Sequence, residues 1–271
     1  MTILIVLLGL LLSHLVFPLT RLRQFGWFAW LMGRVRRTPW GRAGPVLALT
    51  VLVTALTIAF LLDALAALLL GGVSWFLLSL AVFVYCLGPR DLDRDVQVLM
   101  AGGNHSAYLK TRRIMRIGRD AAGAEGAAAV LHAAQARWFG VLFWFVLLGI
   151  PGALLYRLSR ISLNLSSLSP GQSAWLLRLR DVLDWPVLVL ILLSAAMGGD
   201  YDRVRAAWQS HQHGRPMRLL QAGVLDEVGK VVVERQAGFE EGVTVGHHLV
   251  WRMLMIWLVV LSLLLLTGWL A

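Results

Sequence analysis

The feature that most constrains this chain is the run Trp138–Tyr156, nineteen consecutive residues without a charged side chain. A helix of that length rises roughly 28 Å, close to the thickness of the hydrocarbon core of a bilayer. Pro151 interrupts the run, with Gly149 and Gly152 beside it, and proline inside a helix removes a backbone donor and clashes with the preceding turn. We therefore predict either a kinked membrane span or a broken, re-entrant one.

The interruption at Pro151 also indicates where a functional site is expected. Irregular backbone survives at membrane depth only where protein or a wet cavity satisfies its polar groups. The alternative interpretation is a proline-kinked helix that serves packing alone.

Further apolar runs predict a polytopic membrane protein. Hydrophobic residues make up 58% of the chain and charged residues 15%, against about 25% charged in soluble domains. We predict an all-α transmembrane helical bundle of about six spans with short cytoplasmic and interfacial helices, forming a single integral membrane domain over residues 1–271. Only one cysteine, Cys86, is present, which excludes an intramolecular disulfide framework. Besides the central run, the predicted spans are Thr2–Leu19, Pro45–Leu62, Ala64–Leu87, Val182–Gly198 and Leu249–Leu270.

Asp63 separates the second and third of these runs. A hairpin turn at the membrane face is the expected reason for a carboxylate here. An intramembrane carboxylate with a functional role is the alternative.

The distribution of basic residues predicts the orientation in the membrane. Of the 25 lysines and arginines, twenty lie in the segments 20–44, 88–137 and 199–248, and four lie between the fourth and fifth spans. The positive-inside rule places the three basic segments in the cytoplasm and both termini outside. The net charge of +10 is then explained by topology and by contact with membrane lipid. No nucleic-acid-binding motif accompanies this charge, so nucleic acid is not an expected partner.

The first basic segment, 20–44, combines arginine with tryptophan and phenylalanine and contains no acidic residue. This pattern is typical of an amphipathic helix that lies in the headgroup plane. It indicates either recruitment of an anionic lipid or lipid-linked substrate, or a topology anchor alone.

Candidate site residues flank the central run and the fifth span. Arginine and tyrosine suit a phosphate-bearing ligand, and carboxylates suit Mg²⁺ or proton transfer, so Mg²⁺ is the cofactor expected if the protein is an enzyme. In a six-span topology these residues lie on opposite membrane faces, and they form one site only if the central run is broken. The alternative is that they cap and pair helix ends. The catalytic candidates are Asp120, Glu125, Asp200 and Asp202, and the substrate-binding candidates are Arg119, Tyr156, Arg157 and Asp184.

Three other polar patterns carry expectations. The histidine pairs at 211/213 and 247/248 lack a carboxylate at ligand spacing, so solvated loop residues are favoured over a metal site. The alternating charges of Arg90–Asp95 predict a solvated helix start with local pairing. Asn104 is expected to cap the following helix.

Three stretches resemble the AmpE family of membrane proteins. They are RWFGVLFWFVLLGIPGALLYRL (Arg137–Leu158), VLDWPVLVLILLSAAMGGDYDRVRAAW (Val182–Trp208) and GPRDLDRDVQVLMAGGN (Gly88–Asn104). The resemblance implies a multi-pass protein of the bacterial inner membrane, encoded beside a cell-wall-recycling amidase. It further implies a regulatory or sensory role in peptidoglycan recycling and β-lactamase induction, with the amidase or a muropeptide-derived ligand as partner.

The AmpE family is grouped with the CobD/CbiB cobinamide-phosphate synthases, which implies an alternative function. The family motifs are matched by GRD at 118–120 and LFW at 142–144, whereas His132-Ala133 stands where the synthases have an acid–amide pair. The alternative is an enzyme acting on a phosphorylated or lipid-linked substrate at the cytoplasmic face. A transporter of wall fragments is a third hypothesis, supported only by the interrupted run and Asp63.

Overall fold

The computed structural model describes residues 2–15, 25–69, 72–87, 91–101, 104–165, 168–212, 221–233 and 236–267. All regular secondary structure in these ranges is helical, so the predicted all-α class is confirmed. The predicted span ends at 16–19 and 268–270, the start of the basic segment at 20–24, and His213 lie outside the described residues. The helices are α1 Thr2–Leu15, α2 Gly26–Arg37, α3 Gly44–Leu68, α4 Gly72–Cys86, α5 Leu92–Ala101, α6 His105–Ile114, α7 Gly123–Ala134, α8 Gly140–Leu148, α9 Ile150–Ser162, α10 Pro170–Gly198, α11 Tyr201–Gln212, α12 Val224–Val232 and α13 Phe239–Leu266.

Four helices among the described residues are long and apolar enough to cross a membrane: Gly44–Leu68, Gly123–Leu148, Pro170–Gly198 and Phe239–Leu264. The chain is therefore a helical membrane protein. The other two predicted spans are shorter as described, with 14 residues in α1 and 15 in α4. A full crossing needs about 20 helical residues.

Two predicted boundaries are wrong because helices continue through them. Asp63 lies inside α3, which ends at Leu68, so the hairpin turn is not at Asp63. The span predicted to begin at Val182 is the second part of the 29-residue helix α10, which begins at Pro170 and contains Asp184 and Pro186 in its interior. Around Asp63 the neighbours are leucine and alanine, strong helix formers that a single aspartate does not interrupt. In α10, Asp184 and its neighbours Leu183 and Val187 are buried, so packing holds the helix through this point.

The predicted interruption of the central run is confirmed at Gly149. Gly149 has φ +68° and ψ −144°, a conformation that favours glycine because it has no Cβ. Helix α8 ends just before it, and α9 begins just after it with Pro151 in its first turn. The upstream part of the run belongs to a longer helix, Gly123–Leu148, so the Ala-rich stretch assigned to the cytoplasmic segment continues directly into the span.

The chain divides into two compact units. Unit 1 consists of Met1–Pro89, Gly140–Leu183 and Leu270–Ala271, and unit 2 consists of Arg90–Phe139 and Asp184–Trp269.

Unit 1 packs its helices through large aromatic side chains. Phe83 of α4 and Phe145 of α8 contact with ring centroids 4.7 Å apart. The fully buried ring of Tyr156 in α9 lies directly on Gly140, where a Cβ would overlap it. Trp144 donates a hydrogen bond to the carbonyl of Leu183 over 2.9 Å.

Unit 2 instead packs its helices backbone to backbone. Helix α7 lies against α13 and α12. A Cβ at Gly242 would overlap the carbonyl of Gly123, and a Cβ at Gly246 would come within 2.8 Å of Ala127. Gly242 and Gly246 form a Gly-x-x-x-Gly pattern, which allows two helices to approach closely in lipid.

Candidate functional site

The four predicted catalytic acids all lie in unit 2, at helix ends or turns. Glu125 accepts a hydrogen bond from the backbone amide of Ala122 over 2.9 Å, so it caps its own helix. Asp200 accepts from the amides of Asp202 and Arg203 and forms an ion pair with Arg203 over 3.1 Å. Asp120 and Asp202 are exposed. These positions agree with the capping and pairing alternative for Glu125 and Asp200.

Arg119 is exposed in the turn that carries the GRD motif. The Arg112 guanidinium holds this turn by donating to the backbone carbonyls of Gly118 and Arg119. The same guanidinium lies 4.7 Å from the ring centroid of Phe239. The turn is thus fixed by its backbone, and the Arg119 side chain remains accessible.

The other three predicted substrate-binding residues are buried inside the protein. Tyr156 is 0% exposed, Arg157 7% and Asp184 1%. The Tyr156 hydroxyl accepts a hydrogen bond from Arg160 over 2.9 Å, and the Arg157 guanidinium lies 5.5 Å from the ring centroid of Phe25. Tyr156 and Arg157 belong to unit 1, whereas Asp184 belongs to unit 2 with the catalytic candidates.

A cluster of paired polar groups in unit 2 is the site that the fold itself assembles. The Asp93 carboxylate is hydrogen-bonded to Nε2 of His247 over 2.5 Å and accepts from the indole of Trp251 over 3.2 Å. The Asp95 carboxylate accepts from Arg137 over 2.8 Å. We call Asp93, Asp95, Arg137, His247 and Trp251 the polar cluster.

Local helix geometry explains how these side chains meet. Asp93 and Asp95 lie in the first turn of α5, where carboxylates are favoured by the helix dipole. Side chains two residues apart on a helix point in different directions, so the two acids reach different partners. His247 and Trp251 are four residues apart on α13 and share one face.

Arg137 reaches Asp95 from a π-helical segment, Gln135–Phe139, between α7 and α8. Such single-turn π segments widen a helix and are frequent at functional sites. Here the segment turns an arginine inward within an otherwise apolar helix.

Burial makes the Asp95–Arg137 pair energetically important. The side chain of Asp95 is 0% exposed and that of Arg137 is 9% exposed. Removing one partner of a buried pair leaves the other charge uncompensated, which typically costs about 3–5 kcal/mol. The pair therefore fixes α5 to the π-helical segment.

Aromatic rings surround the polar cluster. Trp138 contacts Trp251 edge to face with centroids 5.8 Å apart, and Phe139 contacts Trp257 at 5.0 Å. Trp257 also donates to the hydroxyl of Ser194 over 3.2 Å. The Trp138 ring thus packs against Trp251, whose indole donates to Asp93.

The expectations for the histidines and for Arg90–Asp95 need correction. His247 is not a solvated loop residue, since it lies half-buried in α13 and pairs with Asp93. Asp93 and Asp95 also have partners far away in sequence, 154 and 42 residues distant, and Arg90 lies outside the described residues. The sequence held one signal for the buried ion pair, Arg137 itself, because a charge at the entry to an uncharged run requires a partner.

The capping prediction for Asn104 is correct, with its side chain accepting from the amide of Ala107.

A second histidine–aspartate pair lies at the edge of unit 2. His132 and Asp226 are hydrogen-bonded over 2.9 Å, with side chains 35% and 55% exposed. The hydrogen bond from His132 lowers the pKa of Asp226, and this effect outweighs the opposing effect of burial. His132 thus takes part in a polar contact at the position where the synthases have their acid–amide pair.

No three His, Cys, Asp or Glu side chains converge on a metal position within the ranges that the structure describes. What the polar cluster offers chemically is a histidine and a carboxylate in direct hydrogen-bond contact, Nε2 of His247 and the side chain of Asp93.

No family model, curated protein or solved structure matches this chain. The functional argument therefore rests on the residues and contacts described above.

Proposed function

We propose that this chain is a multi-pass protein of the bacterial inner membrane that acts as a regulatory or sensory component of the AmpE type. Its role is in peptidoglycan recycling, β-lactamase induction and the response to antibiotic. The three stretches that resemble the AmpE family support the proposal, together with the apolar helices.

The single observation that favours regulation over catalysis is that both carboxylates of the polar cluster pair with groups on other helical segments. Asp93 and Asp95 join α5 to α13 and to the π-helical segment. Such a cluster holds helices in one arrangement, and a signal that breaks a pair changes that arrangement. Glu125 and Asp200, proposed as catalytic acids, are engaged as helix caps.

The proposal has a direct genetic test. Deletion of the gene is expected to change both β-lactamase induction and the pools of soluble muropeptides. Complementation with wild type and with Asp202→Asn should restore both, whereas Asp95→Asn should not, because it removes the charge that Arg137 pairs with. Unchanged induction and unchanged pools after deletion would contradict the proposal. The amidase or a muropeptide-derived ligand is the partner proposed, and co-purification from membranes tests the former.

The second candidate function is an enzyme acting on a phosphorylated or lipid-linked substrate at the cytoplasmic face. The short hydrogen bond between His247 and Asp93 favours it, since this is the geometry of a proton-transfer pair. Purified protein incubated with Mg²⁺ and a panel of isoprenyl diphosphates and nucleotide-linked precursors should then show turnover. Loss on His247→Gln would assign chemistry to the polar cluster, and loss on Asp120→Ala would assign it to the GRD turn.

A further inference from the structure

An exposed stripe of tryptophan and arginine runs along one face of α2. Trp27, Trp30, Arg34 and Arg37 are all exposed and are spaced three, four and three residues apart. This spacing puts them on a single helix face. We call these four residues the Trp–Arg stripe; Phe28 and Met32, on other faces of the helix, are buried.

The two halves of the stripe differ in chemistry and are in contact. Both tryptophans lie toward the start of α2, and both arginines lie in its last turns. The Arg34 guanidinium stands 5.1 Å from the ring centroid of Trp30. Within residues 25–44 there is no acidic side chain, and neither Arg34 nor Arg37 pairs with a carboxylate among the described residues. The positive charge is therefore available to an external anion.

The turn after α2 anchors the stripe to the rest of unit 1. The amide of Gly41 donates to the hydroxyl of Thr38, and a Cβ at Gly41 would overlap the carbonyl of Val35, so the turn folds back tightly on α2. The buried side chain of Gln172 donates to the carbonyl of Gly41 over 2.7 Å. The stripe is thus held on a rigid support.

The position of the stripe along the chain places it beside the lipid headgroups. Helix α3 begins at Gly44, directly after the turn, and has a mean hydropathy of 2.5, the highest of the four candidate spans. The start of such a helix lies at the membrane surface. Trp40, which is 81% exposed, and Arg42 lie between α2 and that start and extend the same chemistry.

We propose that the Trp–Arg stripe binds the phosphate headgroup of an anionic phospholipid of the surrounding bilayer. Arg34 and Arg37 bind the phosphate oxygens, and the rings of Trp27 and Trp30 lie at the level where headgroup meets acyl chain, the usual depth of tryptophan in membrane proteins. Charge complementarity selects an anionic lipid over a zwitterionic one.

The test uses full-length protein in detergent, titrated with phosphatidylglycerol or phosphatidylcholine and followed by native mass spectrometry. Wild type should bind phosphatidylglycerol more tightly. Arg34→Gln with Arg37→Gln should weaken that binding roughly 30-fold, since each basic residue near an anionic surface contributes about fivefold. The matched control, Arg113→Gln with Arg205→Gln, removes the same charge from exposed positions in unit 2 and should change binding less than twofold.

Three results would overturn the proposal. These are equal affinity of wild type for the two lipids, equal weakening by the stripe variant and its control, or much tighter binding of a short isoprenyl diphosphate that the stripe variant abolishes. The last would assign the stripe to a lipid-linked substrate. If the double variant does not fold, each single variant should still weaken phosphatidylglycerol binding about fivefold. For wild type, rising salt should weaken phosphatidylglycerol binding and leave phosphatidylcholine binding unchanged.

Discussion

Two close helix contacts, one in each unit, differ in what limits the approach: backbone and a nearby buried ion pair in unit 2, and an aromatic ring in unit 1. In unit 2, Gly242 lies against the backbone of Gly123, and Asp95 pairs with Arg137 out of contact with water. In unit 1, the Tyr156 ring lies on Gly140. Rings can shift or be replaced by smaller groups, but a backbone carbonyl or a buried charge has no such freedom. The comparison predicts that unit 2 tolerates change less well.

The largest effect is expected from Asp95→Ala. It leaves Arg137 buried without its carboxylate and should lower the free energy of unfolding by about 3–5 kcal/mol, measured by SDS titration in mixed micelles. The control in unit 1 is Asp181→Ala, whose pair with Arg180 is partly exposed, and it should cost less than about 1 kcal/mol. Replacing Asp95 and Arg137 together with apolar residues should restore much of the loss. Equal losses for the two aspartates would remove the contrast between the units.

The next effect is expected from Gly242→Ala, which should cost about 1–3 kcal/mol because the helices must separate. At Gly33, where an added Cβ meets nothing within 4 Å, the same change should be neutral or stabilising. Thermal unfolding in detergent, followed by circular dichroism, measures both.

The comparison is sharpened by Gly140→Ala in unit 1. The atom that an added Cβ would meet at Gly140 belongs to the ring of Tyr156, so Gly140→Ala should destabilise the wild-type protein. In a Tyr156→Ala background the ring is gone, and Gly140→Ala should then lower the free energy of unfolding by less than about 0.5 kcal/mol. The obstacle at Gly242 is backbone, and no side-chain truncation on α7 should relieve it. Relief of Gly242→Ala by such a truncation would show that side chains, rather than backbone, set that helix spacing.

The effect of His247→Gln is expected to be similar in size to that of Gly242→Ala. Loss of the short hydrogen bond to Asp93 should cost about 1–3 kcal/mol, the range for bonds to a charged group. His248 is adjacent on the same helix and exposed, so His248→Gln should cost less than about 0.5 kcal/mol. Similar values for both histidines, from parallel SDS titrations, would show that the Asp93 contact adds nothing to stability.

The smallest effect is a pH dependence from Asp226. Its pKa is held below the ordinary value of 3.8 by His132, so its contribution to stability is fully present above that value and is lost as the pH falls below it. Because both side chains are partly exposed and screened by solvent, the contribution should be under about 1 kcal/mol. Comparing the stability of wild type and Asp226→Asn between about pH 2.5 and about pH 6, a range that brackets the ordinary aspartate pKa, measures it. A difference that grows as the pH falls would have the wrong sign.

Much of the fold could be predicted from the sequence, and much less of the site. Hydropathy predicted the class, and Pro151 with its glycines predicted the interruption, which the structure places at Gly149. The turn at Asp63 was wrong because the strong helix formers beside it continue the helix. The helix start near Asp184 was wrong because tertiary packing buries this residue inside a longer helix. The burial of Tyr156 and Arg157 could not be predicted, because their position in the chain says nothing about which neighbour covers them.

The sequence by itself determined the membrane-helical character and the break in the central run, because hydropathy and the missing Cβ of glycine act within a few residues of where they occur. Only the tertiary structure decided the partners of Asp93 and Asp95, which lie 154 and 42 residues away. A carboxylate buried near an apolar segment needs a partner that compensates its charge, but the sequence does not show which residue this partner is. In the structure, glycines allow α7 and α13 to approach closely. This contact positions His247, on α13, and Arg137, in the segment that follows α7.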